Sequence, residues 1–141
     1  MRVEKQRKNE CMLATIAALA DVPLAQVRAR ACALAGVRTW SPVPRGRVQQ
    51  FWGVTMTLAY ELRIVGMVPI QTPSHGLAPT GRPKQKLRGR GSVLVAFRDG
   101  TSHIMPYEDG LIYDPAGDPT EPITLEQCLA YFRKGEVLTY Q

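Results

Sequence analysis

The stretch SVLVAFRDGTSHIMPYEDGLIYDP, residues 92–115, decides the fold of this chain. It holds three short β-prone runs, 92–97, 101–107 and 111–113, separated by Asp99-Gly100 and Asp109-Gly110. An Asp-Gly pair between such runs is a strong hairpin signal, because both residues accept the positive φ angles of a tight turn. The stretch therefore predicts a three-stranded antiparallel meander.

Upstream of the meander the apolar pattern is that of helices. The run Cys11–Ala20 is almost continuously apolar and rich in alanine, which is typical of a helix buried on most sides. Asp21 is placed to cap a second helix, which Gly36 would end. We expect these two helices to pack as a short antiparallel pair.

The other predicted elements are shorter. After a loop with a helical turn near Val48, Thr55 is expected to cap a third helix that ends at Gly66. Residues 67–70 suit a short strand. Thr124 and Gln127 fit a capping box at the start of a last helix, which we predict over about 124–133.

These elements predict one domain over residues 1–141. With 45% apolar and 21% charged residues, a chain of this length can bury one hydrophobic core. The helical part would cover about 1–66, the sheet part about 67–115 and the C-terminal helix about 124–133. Helices followed by a small antiparallel sheet define the α+β class.

The cysteines and the hydropathy exclude several classes of protein. Cys11, Cys32 and Cys128 are too few for a disulfide-stapled secreted scaffold, and their spacing matches no zinc site. We therefore expect a cytoplasmic protein without cofactor or metal. The longest apolar run is far shorter than the roughly 18 residues of a membrane span, so no contact with a membrane is expected.

The first twenty residues leave a second interpretation open. Basic residues at 2, 5, 7 and 8 precede an apolar run that ends at Ala20, a pattern shaped like a signal peptide. Glu4 and Glu10 dilute that positive charge, and we favour a buried helix.

The net charge of +6 is distributed unevenly. Residues 1–98 carry 16 Lys and Arg against 4 Asp and Glu, whereas residues 99–141 carry 2 against 8. A loop predicted over about 73–91 holds a basic cluster: Arg82, Lys84, Lys86, Arg88 and Arg90. The sequence allows three interpretations of this loop: a solvated surface segment, a lid beside an active site, or a binding surface for an acidic partner. Nucleic acid is the less favoured partner, because no aromatic residue interleaves the charges.

Three residues lie in elements that suit nucleophilic thiol catalysis. Cys11 begins the first helix, where unpaired N–H groups and the helix dipole favour a thiolate. His103 lies in the second strand, and Asp114 closes the third strand, which the preceding turn folds alongside it. We expect Cys11 to be the nucleophile, His103 its proton acceptor and Asp114 the group that orients His103. Cys32 and Cys128 are expected to be packing residues.

The order of these residues and elements resembles the papain-like cysteine peptidases, especially the bacteriocin-leader (double-glycine) peptidases and their stand-alone relatives. The resemblance rests on Gln6, on Cys11 at the start of CMLATIA, on His103, and on the sequence YDPA at 113–116. It implies a papain-like fold and thiol-dependent hydrolysis of a peptide or isopeptide bond in a protein substrate. It also implies that Gln6 helps to form the oxyanion hole and that the source is a bacterium or a phage.

Two departures from that family keep other functions open. Met12 stands where the family has glycine, and Gln6 precedes Cys11 by five residues rather than six. One alternative is an inactive papain-like binding module that holds an acidic protein or nucleic acid through residues 82–90. A second alternative keeps the triad but uses it for transglutamination or deamidation.

Overall fold

The computed structural model describes residues 1–40, 48–64, 69–70, 88–97, 102–131 and 135–140. Its helices are α1 (Cys11–Ala20), α2 (Leu24–Ala35), α3 (Val48–Glu61) and α4 (Leu125–Tyr131). Its strands are β1 (Pro69–Ile70), β2 (Arg90–Phe97), β3 (Ser102–Glu108), β4 (Leu111–Ile112), β5 (Ile123–Thr124) and β6 (Gly135–Tyr140). The predicted α+β class is confirmed. None of the described helices is long and apolar enough to cross a lipid bilayer.

In the described ranges the strands form one sheet in the order β1-β6-β2-β3-β4-β5. Strands β2, β3 and β4 are the predicted meander, with Val95 opposite His103 and Glu108 opposite Leu111. Asp109 and Gly110 have φ angles of 50° and 87°, as the tight hairpin turn requires. The other predicted turn, Asp99-Gly100, lies outside the described residues.

The sheet extends beyond the segment 67–115 that the sequence predicts. Strand β6 pairs with β2 on one side and with β1 on the other, so the C-terminal segment occupies an interior position. Nothing local in this segment indicates that place, because its partner on β2 lies about forty residues earlier in the chain. Pairing at this separation is decided by tertiary packing rather than by neighbouring residues.

The junction between α1 and α2 differs from the prediction. Asp21 does not cap α2; it ends α1 in the left-handed conformation, with φ 56°. The first residue of α2, Leu24, instead donates its N–H to Glu4 Oε2 at 2.7 Å. Glu4, which is remote in sequence, thus takes the capping role that the sequence predicts for Asp21. Its hydrogen bond joins the N-terminal segment to α2.

Helix α3 is longer at its start than predicted and ends earlier. Thr55 lies inside the helix rather than at its N-cap, and the predicted end, Gly66, lies outside the described residues. After the helix, Arg63 takes a left-handed φ of 58°. The helix continues through Gly53 because Val54 and Leu58 are buried in the core, which outweighs the low helix propensity of glycine.

The capping box at the start of α4 is confirmed. Thr124 donates its N–H to Gln127 Oε1 at 2.9 Å, and Gln127 donates its N–H to Thr124 Oγ1 at 3.2 Å. The helix is described as far as Tyr131, so residues 132 and 133 of the predicted helix lie outside the described ranges.

Helix α1 lies between two buried clusters. The helical cluster holds Leu13, Ala14, Ile16, Ala17, Leu24, Val27, Ala31, Ala35, Trp40, Val54 and Leu58. The sheet cluster holds Val93, Val95, Met105, Tyr107, Ile112, Leu125 and Cys128. α1 packs on α2, α3 and β3, and Thr15 Oγ1 donates to the Ile104 carbonyl at 3.3 Å. Helix α1, which the sequence predicts to be buried, therefore connects the other helices to the sheet. Its packing places its first residue, Cys11, beside β3.

Candidate active site

The predicted nucleophile is the first residue of α1. Cys11 is partly buried, and its N-cap residue Glu10 makes no capping hydrogen bond with its side chain. The thiol interacts with the His103 side chain and with the Ile104 backbone in β3, and both lower its pKa. The packing of α1 against β3 thus brings a helix N-terminus, a thiol and an imidazole together.

His103 is held on its other side by Asp114. The distance from His103 Nε2 to Asp114 Oδ1 is 2.8 Å. Tyr113 donates its N–H to the Pro106 carbonyl at 3.0 Å, which continues the β3–β4 pairing and sets Asp114 diagonally across from His103. An ionised carboxylate only accepts hydrogen bonds, so Nε2 carries a proton and Nδ1 remains for the thiol.

The three thiols differ in their acidity. Burial raises the pKa of the Cys11 thiol, but hydrogen bonds from His103 and Ile104 and the positive charge of His103 outweigh it and lower that pKa. Burial and the charge of Glu10 raise the pKa of Cys32. Burial and the charge of Asp114 raise the pKa of Cys128 to about 12. Of the three, Cys11 alone is shifted toward the reactive thiolate.

The shifts of His103 and Asp114 are those of an ion-paired group. Burial lowers the pKa of His103, while hydrogen bonds to Asp114 and Cys11 raise it, and the balance lies at about 9. Burial raises the pKa of Asp114, but hydrogen bonds from His103 and from the Ala116 and Gly117 backbone hold it below its usual value. When all three are charged, a thiolate, an imidazolium and a carboxylate therefore stabilise one another.

A short loop after β4 fixes the carboxylate. Ala116 donates its N–H to Asp114 Oδ1 at 2.9 Å. Gly117 lies so close that a Cβ there would come 3.1 Å from Asp114 Oδ2, which leaves no room for a larger residue without a shift. Lys5 Nζ donates to the Gly117 carbonyl at 2.7 Å. Sequence reasoning missed Gly117 and Lys5, although a glycine three residues after an Asp-Pro strand end was an available signal.

Gln6 lies beside this loop, since its N–H donates to the Pro115 carbonyl at 2.8 Å. Its side-chain Nε2 donates to the Arg7 carbonyl at 3.1 Å, and its buried Oε1 has no hydrogen-bond partner among the residues that the structure describes. The structure thus ties Gln6 to the Asp114 loop, while its part in an oxyanion hole stays a prediction.

A buried ion pair shapes the turn before Cys11. Arg28 donates through Nε and Nη2 to the two carboxylate oxygens of Glu10, at 2.6 and 2.9 Å. Glu10 also accepts the Arg7 N–H at 3.1 Å, and Trp40 Nε1 donates to the Asn9 carbonyl at 3.1 Å. Sequence reasoning missed this pair. A carboxylate directly before an apolar helix was its signal, because a buried charge requires a partner.

Several sequence-predicted residues lie elsewhere. Cys128 is fully buried and Cys32 packs against the helical cluster, which confirms both as packing residues. Arg82, Lys84 and Lys86 of the basic cluster lie outside the described residues, as does the second histidine, His75.

Arg90, which we placed in the basic loop, begins β2. It forms ion pairs with Asp21 at 2.7 Å and with Glu108. Asp21 follows the last residue of α1, so this end of the basic cluster lies at the opposite end of α1 from Cys11. Arg90 is therefore committed to contacts within the chain rather than free to hold a partner.

Comparisons with protein-family models and with curated proteins found no match to this chain. Among the described residues, no three His, Cys, Asp or Glu side chains are grouped as metal ligands would be.

Proposed function

We propose that this protein is a papain-like cysteine peptidase, or a related acyl-transfer enzyme, that acts on a peptide or isopeptide bond of a protein substrate. One observation carries the proposal: His103 is hydrogen-bonded to the Asp114 carboxylate at 2.8 Å and also interacts with the Cys11 thiol, whose pKa it lowers. A thiol with lowered pKa, an imidazole and a carboxylate in this order are the requirements of a thiol nucleophile.

The reaction follows from the three groups. The Cys11 thiolate attacks the carbonyl carbon, and the N–H groups of the first turn of α1 face the developing oxyanion. The C–N bond breaks as His103 gives its proton to the leaving amine, which leaves a thioester on Cys11. His103 then takes a proton from water, and the resulting hydroxide forms a bond to the carbonyl carbon of the thioester. The C–S bond breaks and releases the Cys11 thiolate.

The departure at position 12 is compatible with this function. Met12 packs against the helical cluster, and Cys11 keeps its hydrogen bond to His103 beside it. This packing lessens the case for an inactive binding module, as does the pairing of Arg90 with Asp21 and Glu108. We further propose a cytoplasmic location, since all three cysteines are free thiols.

The first experiment measures the reactivity of each thiol in the folded protein. With limiting iodoacetamide at pH 6.5, we expect Cys11 to be alkylated about tenfold faster than Cys32 or Cys128, because it alone has a lowered pKa. Peptide mapping by mass spectrometry gives the three rates. His103→Ala should remove the advantage of Cys11. Equal rates at the three cysteines would contradict the proposal.

The second experiment tests the function itself. Extracted cellular proteins incubated with the wild-type protein should gain new termini, and Cys11→Ala should abolish them, whereas Cys32→Ala should not. Addition of a primary amine separates hydrolysis from transfer: incorporation of the amine indicates transglutamination. A Cys11→Ala variant that retains all activity would overturn the nucleophile assignment.

The activity should have a bell-shaped dependence on pH. It should rise with ionisation of Cys11, below the ordinary thiol pKa, and fall as His103 loses its proton near pH 9. The pH profile of the hydrolysis rate measures both limbs. A rate that continues to rise well above pH 9 would show that a protonated His103 is not needed.

A further inference from the structure

Two cationic side chains lie on the turn that leads into the proposed nucleophile. Arg7 and Lys8 are both exposed. Glu10 donates its N–H to the Arg7 carbonyl at 3.3 Å and accepts the Arg7 N–H with its side chain at 3.1 Å. Their backbone is therefore held in a closed turn that ends at Cys11, and the two charges are kept on its outer face.

These two charges differ from several other described arginines, which are paired with carboxylates. Arg28, Arg30 and Arg90 each have a carboxylate within salt-bridge distance. Within the described part of the chain, neither Arg7 nor Lys8 has a carboxylate within that distance. The nearest acid in sequence, Glu10, is already bound through both oxygens by Arg28.

The positive charge at this rim acts on whatever approaches Cys11. Charges interact over a Debye length of about 8 Å at physiological ionic strength, and only Asn9 and Glu10 lie between Lys8 and Cys11 in the closed turn. An anionic reactant is therefore concentrated at the thiolate, whereas a cationic one is repelled.

We infer that the substrate is an acidic peptide segment whose carboxylates bind Arg7 and Lys8 beside Cys11. The inference rests on the proposed function and narrows its substrate class. It also differs from the partner surface that the sequence indicates at residues 82–90, of which Arg90 lies at the other end of α1.

The test compares a negative and a neutral electrophile of nearly equal size at Cys11. Iodoacetate and iodoacetamide are reacted separately with the wild-type protein, with Arg7→Gln/Lys8→Gln and with the control Arg30→Gln. We expect the ratio of the iodoacetate to the iodoacetamide rate to fall about three- to tenfold in the double variant and to stay unchanged in the control. High salt should lower the wild-type ratio toward that of the double variant.

The neutral reagent reports whether the site itself is intact. The Arg7 bonds to Glu10 use backbone atoms, so iodoacetamide should react with the double variant at the wild-type rate. If it does not, the single reversal Lys8→Glu is used, for which the ratio should fall by a similar factor, because this variant also lowers the charge of the turn by two. A ratio that is the same in wild type and variants, with Cys11 still the fastest thiol, would overturn the inference and leave the proposed function standing. Equal rates at all three cysteines would overturn the proposed function instead.

Discussion

At the scale of residues, the site depends on how closely Asp114 is held. Its Oδ1 accepts hydrogen bonds from His103 at 2.8 Å and from the Ala116 N–H at 2.9 Å. Its Oδ2 faces the space where Gly117 has no side chain. The absence of a Cβ at residue 117 is thus part of what positions the carboxylate against the imidazole.

Gly117→Ala should weaken the pair of His103 and Asp114. A Cβ 3.1 Å from Oδ2 pushes the carboxylate away, so the pKa of His103 should fall from about 9 toward its ordinary value. The descending limb of the pH profile should move to lower pH. Alkylation of Cys11 by iodoacetamide at pH 6.5 should slow about two- to tenfold. A tenfold change in rate corresponds to only about 1.4 kcal/mol of activation free energy.

The matched control is Gly53→Ala in α3, where an added Cβ meets nothing within 4 Å. It should leave the pH profile unchanged and stabilise the helix by roughly 0.5–1 kcal/mol. If both variants keep the wild-type profile, Gly117 has no positioning role.

At the scale of elements, the start of α1 is held by its neighbour α2 rather than by a cap. The Glu10 side chain is 3% exposed and the Arg28 side chain is 20% exposed, and the two form a bidentate ion pair. The pair connects the residue before Cys11 to the middle of α2. Burial raises the pKa of Glu10, but the bond from Arg28 outweighs it and keeps that pKa below its ordinary value.

Arg28→Met should destabilise the protein by roughly 3 kcal/mol, because it leaves a buried carboxylate without its cation. Glu10→Gln in the same chain should restore much of that loss. The control is Arg30→Met, whose pair with Glu61 is 52% and 37% exposed, so its loss should be much smaller than that of Arg28→Met. Urea unfolding measures all three. Equal losses for Arg28→Met and Arg30→Met would contradict the assigned role of the buried pair.

At the scale of the whole molecule, the C-terminal strand β6 completes the sheet by lying between β1 and β2. Six residues of β2, from Ser92 to Phe97, pair with β6, and β1 pairs with β6 rather than with β2. Strand β6 is therefore the connection between β1 and the rest of the sheet. Its loss would expose the edge of β2 beside Val93 and Val95, which are fully buried.

Removal of residues 135–141 should prevent cooperative folding. The deletion exposes the backbone groups of a central strand and separates β1 from the sheet, and a domain of this size has only about 5–15 kcal/mol of stability to lose. Circular dichroism and urea unfolding provide the measurement. Deletion of Gln141 alone is the control and should unfold at the wild-type midpoint. A truncated chain that unfolds at that midpoint too would refute the interior placement of β6.

Local sequence patterns determined much of this molecule. The bounds of α1, the meander of β2 to β4 and the Thr124–Gln127 capping box all depend on residues that are neighbours in the chain. Only part of the candidate site is local: the hairpin at Asp109-Gly110 brings His103 toward Asp114, whereas Cys11 reaches His103 through the packing of α1 on β3. Such patterns act over one turn or one hairpin, and they can be recognised without the rest of the fold.

Only the tertiary structure decided which remote residues meet. It assigned the cap of α2 to Glu4 and the partner of Glu10 to Arg28, and it inserted β6 beside β2. It also committed Arg90 to Asp21 and Glu108. Each of these contacts joins segments far apart in the chain. Their free energy comes from burial and charge compensation when α1 packs between helices and sheet, and no local pattern encodes it.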